Sequence, residues 1–349
     1  MSSTQQITGL QRNALSMRMS QPSQLLIAVF AFVQCIEGIP MSRRTEGQLP
    51  AVDRNEILQI NQDQNLTWYA EESDIFVGMN LEGVQQNFLG LLEDANDDDA
   101  PIRSHDNFLL DRLPKNFDAY ERWPKFMHPI RRQQKCGSCW AFGASEVLSD
   151  RFAVASNGTI NNVLSPEELV SCDKREGACH GGNFRGAWQY MQEFGLATDS
   201  CFPYTAGHGK VTRCRHTCED GEAFRKYKAA DYFKLTKEED MMAEIFLNGP
   251  VEGGFRVYRS FLHYKGGVYQ KLPHDHPVGG HVIKVVGWGV EPGRSLSEPG
   301  TKYWLCANSW GPRWGLNGFF KIRRGLDAQG KSECNIQNMM YAGTPDLSS

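Results

Sequence analysis

The chain has no apolar run long enough to cross a bilayer: its longest, Leu25–Val33, has nine residues against the roughly 18 that a spanning helix needs. It also lacks a strong excess of one charge, standing at −4 with 37 Lys and Arg against 41 Asp and Glu. The basic residues are dispersed and no recognition motif accompanies them, so no nucleic-acid partner is expected. Repeats and low-complexity tracts are missing, and the 34 Gly and 16 Pro are scattered, which excludes collagen-like and coiled-coil chains. What is left is a turn-rich globular chain of 349 residues, enough for about two folding units.

The charge is unevenly placed. Residues 39–112 carry 5 basic and 15 acidic side chains, whereas residues 113–349 carry 30 and 25. An acidic segment docking on a mildly basic body is the expectation. That segment has few apolar anchors, among them Ile57, Ile60, Trp68, Phe76, Phe88, Leu91 and Leu92, too few for it to fold well alone. Its acidic run Glu93–Asp99 has no periodicity and reads as exposed and flexible. After Leu113-Pro114 dense aromatics and paired glycines begin, which sets the main domain boundary there.

The short apolar run suits a secretory signal over residues 1–38, with Arg12 and Arg18 before it and small or weakly polar residues up to Gly38 after it; Met17 and Met19 are alternative starts. Behind such a signal, the ten cysteines (35, 136, 139, 172, 179, 201, 214, 218, 306 and 334) read as disulfides with room for a free thiol. Asn65-Leu66-Thr67 and Asn157-Gly158-Thr159 read as glycosylation sequons in that setting.

Helical spacing over Ser138–Asn157 puts Cys139 in a first turn, with Asn157-Gly158 as the stop. Ser165-Pro166-Glu167-Glu168 and Thr236-Lys237-Glu238-Glu239 have the form of capping boxes, and Phe184–Phe194 is a further helix closed by Gly195. Beyond Gly254 the texture changes to β-rich runs at His281–Val286, Tyr303–Ala307 and Phe319–Ile322. A helical half followed by a β-rich half implies two lobes with a cleft between them.

The sharpest signal is Gln133-Gln134-Lys135-Cys136-Gly137-Ser138-Cys139-Trp140-Ala141-Phe142, followed by Gly279-Gly280-His281-Val282, Gly287-Trp288-Gly289 and Asn308-Ser309-Trp310-Gly311. With these three motif regions in this order, residues 113–349 resemble the papain-like cysteine proteases. The resemblance implies an α+β, two-lobe papain-like fold. A helical left lobe and a β-barrel-like right lobe would flank the active-site cleft. It divides the chain into a signal region (1–38), an inhibitory propeptide (39–112) and a mature peptidase domain (113–349). It makes Cys139 the nucleophile, His281 its imidazolium partner and later proton donor, Asn308 the group orienting that ring, and Gln133 the oxyanion donor. Gly137, Gly181, Gly182, Trp314 and Met339 become substrate-binding positions. The chemistry agrees: a thiol must be held as thiolate to attack, and a helix N-terminus and an adjacent imidazolium both do that. Singly, each residue is more often structural; four together in matched contexts are not. One departure stands out, since the family usually has Gly directly after the oxyanion Gln and this chain has Gln134.

Within the family the likeness is to the cathepsin B group, through Leu113-Pro114-Lys115-Asn116-Phe117-Asp118, Asn248-Gly249-Pro250-Val251-Glu252-Gly253, Gly266-Gly267-Val268-Tyr269 and Asn317-Gly318-Phe319-Phe320-Lys321-Ile322, with Ile57 to Trp68 similar to that group's propeptide. Matching to the group implies disulfides Cys136 with Cys179, Cys172 with Cys214 and Cys201 with Cys218. Cys306 and Cys334 are left as free thiols or as a further pair. A metal site in Cys214-Arg215-His216-Thr217-Cys218 with His180 and His208, or at His274-Asp275-His276, is the weaker reading, so neither metal nor cofactor is expected. Met339 stands where the group has a Glu that tolerates Arg, which implies preference for Leu, Val or Phe two residues before the scissile bond. The span between Cys201 and Cys214 has 12 residues and a single histidine, His208, where the group has a longer loop with two adjacent histidines. Mainly endopeptidase action follows.

The expected partners are protein or peptide substrates, the chain's own propeptide and cystatin-type inhibitors, in a secreted or lysosomal/endosomal setting. The rival functions are a catalytically silent relative that binds peptides or matrix proteins, and, more remotely, a zinc-stabilised module. Protonation of the acidic segment below about pH 5 is expected to speed maturation near Arg112-Leu113.

Overall fold

The computed structural model describes residues 45–93, 99–293, 295 and 299–348. The signal region with Cys35, most of the acidic run and part of the stretch between Glu291 and Thr301 lie outside the described residues. The main helices are α1 (Arg54–Gln62), α2 (Leu81–Phe88), α3 (Cys139–Ala155), α4 (Pro166–Cys172), α5 (Phe184–Glu193) and α6 (Glu238–Asn248). The strands are β1 (Trp68–Ala70), β2 (Phe117–Asp118), β3 (Ala229–Leu235), β4 (Val251–Tyr258), β5 (Tyr264–Tyr269), β6 (Pro277–Glu291), β7 (Thr301–Ala307), β8 (Phe319–Arg323) and β9 (Met340–Pro345).

Helix α3 is the axis of the helical lobe. It is buried from Cys139 through Ala153, as a helix apolar on most sides must be, and Trp140, Ala144, Val147, Leu148 and Phe152 share one core with Trp188 and Met191. Asn157 and Gly158 end it in the left-handed region at φ 50° and 82°. Ser165 caps α4 as its sequence suggests, accepting from Glu168 N–H behind Pro166. The Glu168 carboxylate does not return to the cap; it accepts from Ala197 N–H and Tyr190 OH. The second capping box is corrected: α6 is preceded by Lys237, with no side-chain cap. Glu238 turns instead to Arg324, at 2.5 Å.

The strands form one sheet in the order β1-β5-β8-β7-β6-β4-β9-β3, with β2 added to β6; β5 and β8 are parallel and every other pair is antiparallel. The sheet is open, which corrects the barrel-like reading of this lobe. Both of its ends are extended by the leading segment: β1 pairs with β5, and Ile102 bridges to Lys234 on β3. Strands β3 and much of β4 precede the β-rich texture expected after Gly254, because Ala229-Ala230-Asp231-Tyr232-Phe233-Lys234-Leu235 does not alternate cleanly.

The leading segment borrows its stability. Ile60, Trp68, Phe76, Leu81, Val84 and Phe88 are buried in the same core as Phe255, Phe261, Trp310 and Trp314 of the β lobe. Trp68 lies 4.9 Å from the Tyr269 ring, and Phe76 meets Trp310 edge-on at 5.2 Å. The three disulfides join Cys136 to Cys179, Cys172 to Cys214 and Cys201 to Cys218, while Cys306 and Cys334 are free and buried. With Cys214 and Cys218 so bonded, the metal reading of that cluster loses its two thiolates.

The lobes are joined by buried charge. Lys284 of β6, 1% exposed, meets Asp150 of α3 at 2.6 Å and Glu146 at 3.8 Å, and Asp150 also accepts from His128 Nδ1 at 2.7 Å. Lys284→Ala would leave two acidic side chains buried without that cation, and is expected to cost about 3–5 kcal/mol in urea unfolding. A loss below about 1 kcal/mol would show that the pair carries no such weight.

Candidate active site

Cys139 is the first residue of α3, so its sulfur sits at the helix end where unpaired N–H groups concentrate positive partial charge. The nearby N–H groups of Val282, Gly90 and Trp140 favour the ionised form of that sulfur. Val282 follows His281 on β6, which brings the thiol's helix and the imidazole's strand together. His281 Nε2–H donates to Asn308 Oδ1 at 2.8 Å, which leaves Nδ1 with the ring's lone pair, buried and without a hydrogen-bond partner. The Trp310 ring lies 4.7 Å from the imidazole at 32° and shields the His–Asn bond from water.

Gln133 is fully buried, its Nε2 donating to Cys136 O at 2.8 Å and to Phe88 O of the leading segment at 3.0 Å. Its Oε1 accepts from Ser309 Oγ at 2.6 Å, and Ser309 N–H donates to Asn308 Oδ1 at 2.7 Å. Ser309 thus orients both Gln133 and Asn308, a positioning role the sequence reading missed although Ser309 stands inside one of its motifs. Gln134 adopts φ 57°, the left-handed region that glycine favours and that costs other residues about 1–2 kcal/mol. Its side chain rests on Gly207, where an added Cβ would come within 2.7 Å of Gln134 Cδ, and Lys135 N–H donates to Gly207 O at 2.9 Å. The loop therefore keeps the conformation a glycine would give, with the bulk accommodated by Gly207.

The cleft is filled. Gly182 accepts from Leu92 N–H at 2.9 Å and donates to Gly90 O at 2.9 Å, and Leu91 N–H donates to Gly280 O at 3.1 Å. Residues 90–92 thus bridge the helical lobe and the β lobe. Glycine is required at this crossing: a Cβ on Gly90 would lie 1.9 Å from Gly137 O, and one on Gly182 would lie 2.5 Å from the Trp140 ring. Gly181, at φ 112°, lies beside Gly90 O, and Gly137 N–H is fixed on Cys179 O at 3.0 Å. Met339 borders a cavity of about 530 Å³ with Phe184, Phe255 and Val278. Trp314 is 1% exposed in this closed form, packed on Trp310 at 4.9 Å. His208 is exposed on the short loop that carries Gly207.

Residues 113–344 match the family described as papain family cysteine protease. The chain belongs to that family. It is 36% identical over 307 residues to a cathepsin B-like cysteine proteinase 3 of Caenorhabditis elegans, covering 80% of each chain. It is 32% identical over 355 residues to a cathepsin B-like cysteine proteinase of Schistosoma japonicum, covering 91% of this chain and 97% of that one. Among solved structures it is similar to proCathepsin B S9 from Trypanosoma congolense, with a TM-score of 0.75, 31% identity, and coverage of 85% of this chain and 100% of that one. The protein is a papain-like, cathepsin B-like cysteine protease in its zymogen form.

Closure silences the chemistry of a family member. Burial pushes the Cys139 thiol up to about 12 against the pull of its three N–H donors, and burial pulls His281 down to about 4 although the bond to Asn308 opposes this. Both shifts disfavour the expected ion pair while the cleft is filled. The acidic segment also docks through charge: Glu56 and Asp53 meet Arg259 at 3.0 and 3.3 Å, and Glu71 meets Lys265 at 2.7 Å. Burial raises the Glu56 pKa, but His263 and Arg259 outweigh it and hold the carboxyl below its ordinary range. The polarity is not uniform, for Arg103 and His105 of the same segment meet Asp231 and Glu244.

Linkage gives the sign. His281 is depressed in the closed form, so its contribution to closure is full above its ordinary 6.5 and is lost as pH falls towards 4, because the open form takes up a proton that the closed form refuses. Glu56 adds a loss in the same direction below the usual carboxylate range. Alkylation of Cys139 by iodoacetamide near pH 7 should be at least roughly 100-fold slower in the closed chain than after segment removal. The rate in the intact chain, relative to that of the chain after segment removal at the same pH, should rise as pH falls from 6.5 to 4. Equal rates before and after removal would refute the silencing.

Proposed function

We propose that this chain is a cysteine endopeptidase held inactive by residues 39–112 and matured by their release near Arg112-Leu113, behind a signal region over residues 1–38. In the mature domain, 113–349, Cys139 attacks the scissile carbonyl. His281 takes up the thiol proton through Nδ1 and returns it to the leaving amine, while Asn308 holds the ring and Gln133 with the Cys139 N–H receives the charge that grows on the acyl oxygen. The acyl-enzyme is then hydrolysed by water. The observation that supports the reading is the threading of Gly90–Leu92 between Gly182 and Gly280, with Gly90 packed against Gly137. A backbone already lies where a substrate backbone must lie.

Gly137, Gly181, Gly182, Met339 and Trp314 are proposed to line the substrate path, with Met339 favouring Leu, Val or Phe over Arg two residues before the scissile bond. Trp314 would serve only once the segment leaves. The three disulfides and the exposed sequon residues Asn65 and Asn157 support passage through an oxidising, glycosylating route, and hence a secreted or lysosomal/endosomal site with cystatin-type inhibitors as partners. No helix among the described residues is long and apolar enough to cross a membrane.

After segment removal, an epoxide that alkylates activated thiols should label Cys139, and Cys139→Ala should abolish both labelling and peptide cleavage. An intact fold with no labelling would instead favour a silent peptide-binding relative. The 12-residue span around His208 supports endopeptidase action, so a peptide with a free carboxy terminus and its amidated twin should be cleaved within about threefold of each other, less than one factor of ten in transition-state binding. Strong preference for the free acid with sequential dipeptide release would overturn that part.

A further inference from the structure

A second groove, of about 630 Å³, lies on the other side of the nucleophile from the Met339 pocket. The path of the leading segment fixes its place. Tyr69 and residues 71–75 line the groove, Phe76 then meets Trp310, Phe88 O meets Gln133, and Leu91 and Leu92 reach the Met339 pocket. The mature domain contributes Arg313, directly before Trp314, and Lys265 of β5. Trp314 stands two ring contacts from the imidazole, 4.9 Å to Trp310 and 4.7 Å from there to His281, about the span of two to three extended residues.

The charges of this groove divide between the two parts of the chain. Among its described lining residues the carboxylates Glu71, Glu72 and Asp74 belong to the leading segment, and the cations Lys265 and Arg313 belong to the mature domain. Glu71 meets Lys265 at 2.7 Å, whereas Glu72 is held by Arg54 of its own segment at 2.7 Å. Arg313 is exposed, and its side chain has no hydrogen bond or ion pair among the described residues. Arg132, also exposed and equally without such a partner, lies across Gly311, where an added Cβ would come within 2.8 Å of its Nε. When the segment departs it takes all three carboxylates with it. Lys265 and Arg313 then stand beside an open groove, with Arg132 at its inner end next to Gln133.

Building on the peptidase reading, in which the residue two before the scissile bond fills the Met339 pocket, we propose that Lys265 and Arg313, with Arg132 beside them, are specificity-determining residues for the leaving side of the substrate: they select Asp or Glu at the second or third residue after the scissile bond. A substrate runs opposite to the leading segment, so its leaving portion enters the groove that residues 71–75 occupy in the closed chain. An acidic side chain there takes the place of Glu71 on Lys265 and gives Arg313 the partner it lacks. Lys or Arg at the same positions meets like charge and is disfavoured.

The test uses the protein after segment removal and internally quenched peptides with amidated carboxy termini. They hold Leu in the pocket and place Glu, Gln or Lys second or third after the cleaved bond, which mass spectrometry locates. The Glu to Lys ratio of kcat/KM should be roughly three- to tenfold at low salt, the scale of partly screened ion pairs, and should shrink towards unity at about 0.5 M salt. Lys265→Gln with Arg313→Gln should bring the low-salt ratio within about twofold of unity, and Lys265→Glu with Arg313→Glu should invert it. Cleavage with ratios near one at both positions, or ratios unmoved by salt and by the variants, would overturn the proposal while leaving the peptidase reading intact. Failure to cleave any of the peptides would overturn the peptidase reading and this proposal with it.

Discussion

A thiol on a helix and an imidazole on a strand of a different core can act together only if helix and strand are held in one geometry. Lys284 does this from three residues beyond His281, reaching Asp150 on the helix that begins with Cys139. The pair is buried, and its Coulombic gain is offset by desolvation, so its contribution lies in geometry rather than in net stability. His128 on the other oxygen of Asp150 and Glu146 beside the cation extend the link. Hydrogen bonds from Ser309 to Gln133 and Asn308 complete it on the other side of the cleft.

The same closeness explains the state of the two groups in the filled cleft. The leading segment dries the site. With Gly90 against Gly137, and Leu91 against Gly280, water is excluded from two groups that need solvent or each other's charge to ionise. Burial that stabilises the closed form and burial that holds the Cys139 thiol up in pKa are one physical event. The loss of depressed groups such as His281 and Glu56 as pH falls ties opening to arming.

Charge plays two parts in this docking. Near α1 the acids Asp53 and Glu56 are partly buried against Arg259 and His263 and contribute to affinity. Around Glu93 and Asp99 the contacts are exposed and long, worth little energetically. The uneven charge of the two halves is therefore visible in composition, while its division into partly buried and exposed pairs depends on which carboxylate meets which guanidinium.

Much of the site was legible in the chain because it rests on local rules. Cys139 follows a helix start marked by a 3.6-residue apolar pattern, Ser165-Pro166 is a cap, and Asn157-Gly158 is a stop, each requiring only neighbours a few residues away. The anchors Ile60, Trp68, Phe76 and Phe88 stood out for the same reason, as apolar residues in an acidic stretch. The capping box at Thr236 failed because the helix begins one residue later than the box requires, with Lys237 at its cap position. Strand β3 was missed because pairing with β9, not alternation, makes it a strand. That Ser309 orients two site residues, that Gly207 accommodates the bulk of Gln134, and that Lys284 joins two lobes all depend on contacts between residues far apart in sequence. Residue types and order determined which chemistry this protein can perform. Only the tertiary structure decided whether that chemistry is switched on, because ionisation of Cys139 and His281 is set by the water and charge around them, and both are fixed by packing across the cleft.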